Sequence, residues 1–192
     1  MIDMREKRLL TIVPLALSIL LLVASAPATA QPGTVLAIAD FADAGTDGGA
    51  MIQAERLSGY LQHRLQALAG DRLQVLAGDR VRAVMRAQGV TALDLLRRSR
   101  ATSMAAALGA SRIITGSWRT LSLASAPDAP PMPRGAEREA TAVFDVWMID
   151  AASGATVLHA TYVGRATGQG RLVLLEAARE ALDQAARAIA GM

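Results

Sequence analysis

The chain contains no cysteine, two histidines and few aromatic residues, and each shortage excludes a class of function. Without cysteine there can be no disulfides, no thiolate metal ligands and no cysteine nucleophile. Aromatic residues make up 3% of the chain, too few for a platform on which nucleic-acid bases stack. The arginines are interspersed with carboxylates, so the net charge of +3 does not indicate a basic binding surface. We therefore predict no nucleic-acid partner.

The two histidines, His63 and His159, have no nearby ligand pattern in the sequence. A metal site needs at least three converging ligands, and the chain has no HExxH motif or paired histidines. No Gly-x-Ser-x-Gly elbow marks a nucleophile. The Asp43–Ala50 stretch follows a predicted strand, where phosphate loops occur, but it lacks the P-loop lysine, the GxGxxG spacing and an ordered calcium-loop pattern. We predict a flexible loop there, and no catalytic residue, metal or cofactor in the chain.

Residues 1–30 have the composition of a secretory signal peptide. Arg5, Lys7 and Arg8 precede an apolar run over Leu9–Ala26, and Pro27–Ala30 ends in an Ala-x-Ala pattern. Signal peptidase requires small side chains at these positions, so we predict cleavage after Ala30 and a periplasmic protein with no stable membrane insertion. Lipid attachment needs a cysteine, which excludes a lipoprotein. Retention of the apolar run as a membrane tether stays open, because its length is at the lower limit of a spanning helix.

Residues 31–192 are predicted to form one α/β domain. Apolar runs and turn residues indicate about five strands, and leucines at helical spacing over 51–68 and 172–189 indicate amphipathic helices. The expected order is β-α-β-α-α-β-β-β-α, with the last three strands antiparallel in a single mixed sheet and the helices mainly on one face. Residues 124–139 contain Pro127, Pro130, Pro131 and Pro133, so we predict a mobile loop there.

Several short motifs resemble one group of envelope proteins. Ala107–Ala110 (ALGA), Arg112–Ser117 (RIITGS) and Ile149–Gly154 (IDAASG) follow one another along the chain, and Val35–Phe41 (VLAIADF) opens it. This pattern is similar to the domain of TolB N-terminal-like and CsgG-like periplasmic proteins and of related exported proteins. The resemblance spans most of residues 34–190. It implies an α/β domain with a non-enzymatic accessory or assembly role in the cell envelope.

The candidate binding residues lie on the long central strands. Strand alternation over Ala140–Asp150 places Asp145 and Trp147 on the face opposite Phe144, Val146 and Met148. If the helices cover the second set, the first set forms an outer surface, with Trp118 and Tyr162 expected near it. We predict that Trp118, Asp145, Trp147 and Tyr162 bind another cell-envelope protein, the domain acting either alone or as a homo-oligomer.

Two alternatives stay open. The outer surface could instead be covered by the 124–139 loop or by the N-terminal segment. A function from a different class, binding of a small ligand or cofactor on behalf of a periplasmic enzyme, predicts a pocket near Asp40–Gly49 at the end of the first strand.

Overall fold

The computed structural model describes residues 33–45, 54–123, 137–169 and 172–192. Within these ranges it contains six strands and four helices. The strands are β1 Thr34–Ile38, β2 Ala42–Asp43, β3 Leu73–Val75, β4 Arg112–Leu123, β5 Arg138–Asp150 and β6 Thr156–Gly168. The helices are α1 Ala54–Ala69, α2 Gly78–Gln88, α3 Arg98–Leu108 and α4 Leu172–Ala190. The predicted signal peptide and its cleavage site lie outside the described residues.

All six strands belong to one mixed sheet, in the order β3-β1-β4-β5-β6, with the short β2 paired to β4. β1 is parallel to both β3 and β4, whereas β4, β5 and β6 form an antiparallel meander. The prediction of an α/β protein with a single mixed sheet and an antiparallel end is therefore confirmed.

The helices pack on both faces of the sheet. α1 and α4 cover the face that carries Leu36, Ile114, Phe144 and Val146, and form the larger apolar core with it. α2 and α3 cover the opposite face, but of the β5 side chains only Ile149 joins their cluster. The sequence predicted helices mainly on one face of the sheet. The two longest helices, α1 and α4, do share one face, and the two shorter ones, α2 and α3, cover only the parallel end of the other face.

Two glycines let other groups approach the sheet closely. At Gly116 in β4, a Cβ would lie 2.5 Å from Phe41 Cε1, so the phenyl ring occupies the space a side chain would need. At Gly164 in β6, a Cβ would overlap the carbonyl oxygen of Ala177, since α4 packs its small residues directly against the strand backbone.

A β-bulge at Arg119 changes the alternation of side chains along β4. Trp118 pairs with Phe144 and Thr120 pairs with Val143, so Arg119 is an extra residue with no partner of its own. Before the bulge the even-numbered residues Ile114 and Trp118 face α1 and α4. After the bulge an odd-numbered residue, Leu121, faces these helices. Bulges of this type bend the strand and redirect side chains.

The Val35–Phe41 motif is not one continuous strand, because β1 ends at Ile38 and the chain forms a second short strand, β2, beside β4. The loop predicted over 124–139 falls largely outside the described residues, but Arg138 and Glu139 already belong to β5, where they pair with Gly168 and Thr167.

Candidate partner-binding face

The candidate site is the face of β5 and β6 opposite α4, which we call the outer face. Cross-strand pairing brings Trp147 beside His159, Asp145 beside Thr161, and Val143 beside Val163. Side chains directly opposite each other on one face of an antiparallel pair are neighbours. These six side chains and Arg119 form what we call the outer patch.

Asp145 is the organising residue of the outer patch. Its side chain is 2% exposed, although it carries a carboxylate. Thr161 Oγ1 donates a hydrogen bond to Asp145 Oδ1 at 2.6 Å, and the guanidinium Nε of Arg119 pairs with Asp145 Oδ2. Both carboxylate oxygens are therefore satisfied, as a buried charge requires. Because Arg119 is 62% exposed, the pair presents a guanidinium to solvent above a buried carboxylate.

Trp147 supplies the aromatic part of the outer patch. Its ring stacks on the imidazole of His159, with centroids 4.8 Å apart and planes 12° from parallel. Trp147 is half-buried and His159 exposed, and neither belongs to the two core clusters. The imidazole covers one face of the indole, and the exposed part of the indole adds an apolar surface to the outer patch.

The structure brings together only two of the four residues predicted for the site. Trp118 is 3% exposed and lies in the core beneath α1 and α4, because its even position before the bulge turns it inward. Tyr162 pairs with Phe144 on the same inner face, where burial raises the pKa of its hydroxyl. Neither residue lies on the outer face with Asp145 and Trp147, so their predicted placement was wrong.

Sequence reasoning missed Arg119, Thr161 and His159 as members of the outer patch. Thr161 and His159 could have been found by continuing the hairpin pairing from the turn at Ser153, allowing for an irregularity near Val157. Arg119 carries no local signal, since only the bulge brings its side chain to Asp145.

The end of β1, where a ligand pocket was the alternative, carries a closed polar cluster. Asp40 Oδ1 accepts a hydrogen bond from Ser58 Oγ at 2.6 Å and lies 3.6 Å from Arg82 Nη1. Arg82 Nη2 also pairs with Glu55 Oε1 at 3.1 Å. These groups satisfy one another across α1 and α2. The remainder of the predicted loop, residues 46–50, lies outside the described residues.

The described residues also line two cavities away from the outer face. One, of about 230 Å³, lies among Leu36, Leu73, Ile189 and neighbouring apolar residues, with Arg72 and Arg112 also lining it. The other, of about 400 Å³, is an open groove between α1 and α4, beside Tyr60 and Arg179.

Among the residues that the structure describes, no group of three or more His, Asp or Glu side chains is placed to hold a metal ion. No helix in the described ranges is long and apolar enough to cross a membrane.

Comparisons with solved structures identify proteins of similar fold. The lipoprotein GNA1162 from Neisseria meningitidis superimposes with a TM-score of 0.54 at 12% identity, over 80% of this chain and 99% of that one. The hypothetical protein CT253 from Chlamydia trachomatis gives a TM-score of 0.54 at 10% identity, over 82% and 95%. The PelC dodecamer from Paraburkholderia phytofirmans gives 0.47 at 17% identity, over 80% and 84%.

The two likenesses with a TM-score of 0.54 show a shared fold and nothing finer, because the sequence identities are low. No protein-family model matches the chain, and no curated protein matches it. The similarity to TolB N-terminal-like and CsgG-like domains therefore remains a prediction from the motifs.

Proposed function

We propose that this protein is a non-enzymatic accessory protein of the bacterial cell envelope, which binds another envelope protein through its outer patch. The N-terminal segment supports export, and the fold is one that a neisserial lipoprotein also adopts. The observation that carries the proposal is the outer patch itself. It combines a partly exposed Trp147, stacked on His159, with a buried Asp145 paired to an exposed arginine.

The composition of the outer patch is suited to protein recognition. Tryptophan and arginine are the residues that most often contribute a large share of binding energy at protein interfaces. Both are held before binding, Trp147 by the stack on His159 and Arg119 by its pair with Asp145. A partner would therefore order few additional side chains, which lowers the entropic cost of association.

The surroundings of Trp147 define the kind of partner surface. Val143 and Val163 extend the apolar area along the strands, and Arg119 adds a positive charge beside it. We expect the partner to present an apolar surface with a carboxylate at its edge, because Arg119 has five donors and Asp145 engages only part of them.

The test is capture of envelope proteins from the source bacterium on the purified protein. Trp147→Ala should reduce recovery of the specific partner about tenfold or more, since loss of an aromatic anchor costs at least that in affinity. Leu93→Ala is the matched control, because Leu93 is 61% exposed and lies in the turn before α3, away from the outer patch. Equal recovery with both variants, each folded as judged by circular dichroism, would reject the outer patch as the binding surface.

A further inference from the structure

β6 is the last strand of the sheet along the described residues, with β5 as its neighbour on one side. In an antiparallel ladder, alternate residues direct both backbone groups toward the neighbouring strand, and the others direct both away. At thirteen residues, β6 is a long edge whose outward N–H and C=O groups can pair with another strand.

Two side chains of α4 protect part of this edge. Glu180 Oε2 accepts a hydrogen bond from the Arg165 N–H at 2.6 Å, and Gln184 Nε2 donates one to the Val163 carbonyl at 3.0 Å. These contacts identify the odd-numbered residues as those whose backbone groups point outward. The close packing of α4 on Gly164 brings both side chains within reach.

His159 and Thr161 are outward-pointing residues beyond the reach of this protection. Both are exposed, and within the described part of the chain their outward backbone groups have no hydrogen-bond partner. The imidazole of His159 stacks on Trp147 of β5 with one face, so its other face points toward the free edge. The unprotected edge therefore lies directly beside the outer patch.

We propose that two copies of this chain pair through this edge, with β6 antiparallel to β6 of the partner subunit, to form a two-fold symmetric dimer with a continuous sheet. With His159 opposite Thr161 of the partner subunit, the outward donors and acceptors of both residues match as four backbone hydrogen bonds. The pairing would end where Glu180 and Gln184 already occupy the edge.

The unprotected part of the edge is short, and this favours a second copy of the chain over a flexible peptide as its partner. Two outward residues provide few hydrogen bonds, and a disordered segment would lose conformational entropy at every residue that it orders against them. β6 of a second copy is already an ordered strand, so that loss does not occur. The same edge on both subunits also satisfies the self-complementarity that a two-fold interface requires. This inference does not depend on the outer patch binding an envelope protein.

Sedimentation equilibrium of the purified full chain tests the dimer, which should have twice the mass of one chain. Thr161→Pro removes the outward N–H, which the β5–β6 ladder does not use, and should halve the mass. Thr161→Val is the matched control. It loses the same hydroxyl contact with Asp145 but keeps the N–H, so it should remain dimeric.

A cysteine substitution keeps the test decisive if Thr161→Pro fails to fold. In the proposed register Ala160 lies opposite Ala160 of the partner subunit in a pair that does not exchange backbone bonds, at a separation suited to a disulfide. Because the chain has no cysteine, Ala160→Cys should give a disulfide-linked dimer on oxidation, whereas Ala106→Cys on α3 should not. A wild-type chain of single mass, a dimer that persists in a folded Thr161→Pro variant, or the absence of the Ala160→Cys disulfide would overturn the proposal.

Discussion

At the scale of single residues, the ion pair of the outer patch depends on both of its members. Asp145 is buried, so its charge needs the two partners that it has, Thr161 and Arg119. Because Arg119 is exposed, water can replace part of the hydrogen bonding that its guanidinium gives to Asp145. The cost of losing Arg119 should therefore be that of a partly screened interaction and not of a fully buried pair.

We expect Arg119→Ala to lower the free energy of unfolding by about 1–2 kcal/mol, because it leaves one oxygen of the buried Asp145 carboxylate without a partner. The double variant Arg119→Ala/Asp145→Asn should recover part of this loss, since it removes the charge that needs pairing. Urea denaturation of the wild type and both variants measures the difference. An Arg119→Ala variant as stable as the wild type would show that Arg119 does not hold Asp145.

The hairpin turn after β5 explains the Ile-Asp-Ala-Ala-Ser-Gly motif at the level of single hydrogen bonds. Asp150 Oδ1 accepts from the Ser153 backbone N–H at 2.8 Å and from Ser153 Oγ at 2.7 Å, and Gly154 adopts a φ of +66°. These hydrogen bonds from Ser153, that of its hydroxyl above all, hold the pKa of the Asp150 carboxyl below its usual value. The motif therefore has a structural role that needs no ligand.

Ser153→Ala should raise the pKa of Asp150 toward its usual value, because the hydroxyl donor is lost. A lowered folded-state pKa contributes stability at neutral pH that disappears as the pH falls through that pKa, so the variant should lose less stability on acidification than the wild type. An NMR titration of the Asp150 carboxyl carbon measures the shift, with Ser103→Ala on α3 as the control. An unchanged Asp150 pKa would contradict this explanation of the motif.

At the scale of secondary-structure elements, the position of α4 on the sheet depends on the missing side chain at Gly164. A Cβ there would collide with the Ala177 carbonyl and lie 2.6 Å from the Ala181 backbone nitrogen, both of which are helix backbone and cannot rotate away. At Gly168, four residues later on the same strand, the nearest atoms are 3.7 Å and 3.8 Å away, on Val173.

Gly164→Ala should therefore destabilise the fold by about 2 kcal/mol or more, as expected for overpacking against rigid backbone. Gly168→Ala is the matched control on the same strand, and should change stability by no more than about 0.5 kcal/mol. Thermal and urea unfolding of the two variants provide the measurement. Equal stability of the Gly164→Ala and Gly168→Ala variants would mean that α4 does not pack against Gly164 of β6 as described.

The sequence allowed most elements to be predicted but not their placement on the two faces. The strands and helices follow from periodicity and from glycines that end helices, such as Gly89 and Gly109, both with positive φ. The inward position of Trp118 was not predicted, because it follows from the pairing of Trp118 with Phe144, and that register between β4 and β5 is not visible in either strand alone. Asp145 and Trp147 were assigned correctly to a common face, since β5 alternates without interruption between Val143 and Met148.

At the scale of the whole molecule, the two ends of the sheet differ in how they are covered. The parallel end around β1 has helices on both faces, whereas along β5 and β6 the described helices pack mainly on the inner face. That asymmetry follows from chain order, since α2 and α3 connect β3 to β4 and so lie beside the parallel strands. Among the described residues, α2 and α3 reach the second face of the meander only near Ile149, and the outer patch lies farther along that face.

We propose that the outer patch is the surface with which this protein binds another envelope protein. The most direct measurement places a photo-activatable amino acid at position 163 of the protein expressed in its own bacterium, because Val163 is an exposed member of the outer patch and its replacement leaves Trp147 in place. Position 93 is the control. We predict a cross-linked product with a second envelope protein at position 163 and none at position 93, whether or not the chain also dimerises through β6. Identical cross-linking at the two positions, or no heterologous product at position 163, would contradict this prediction.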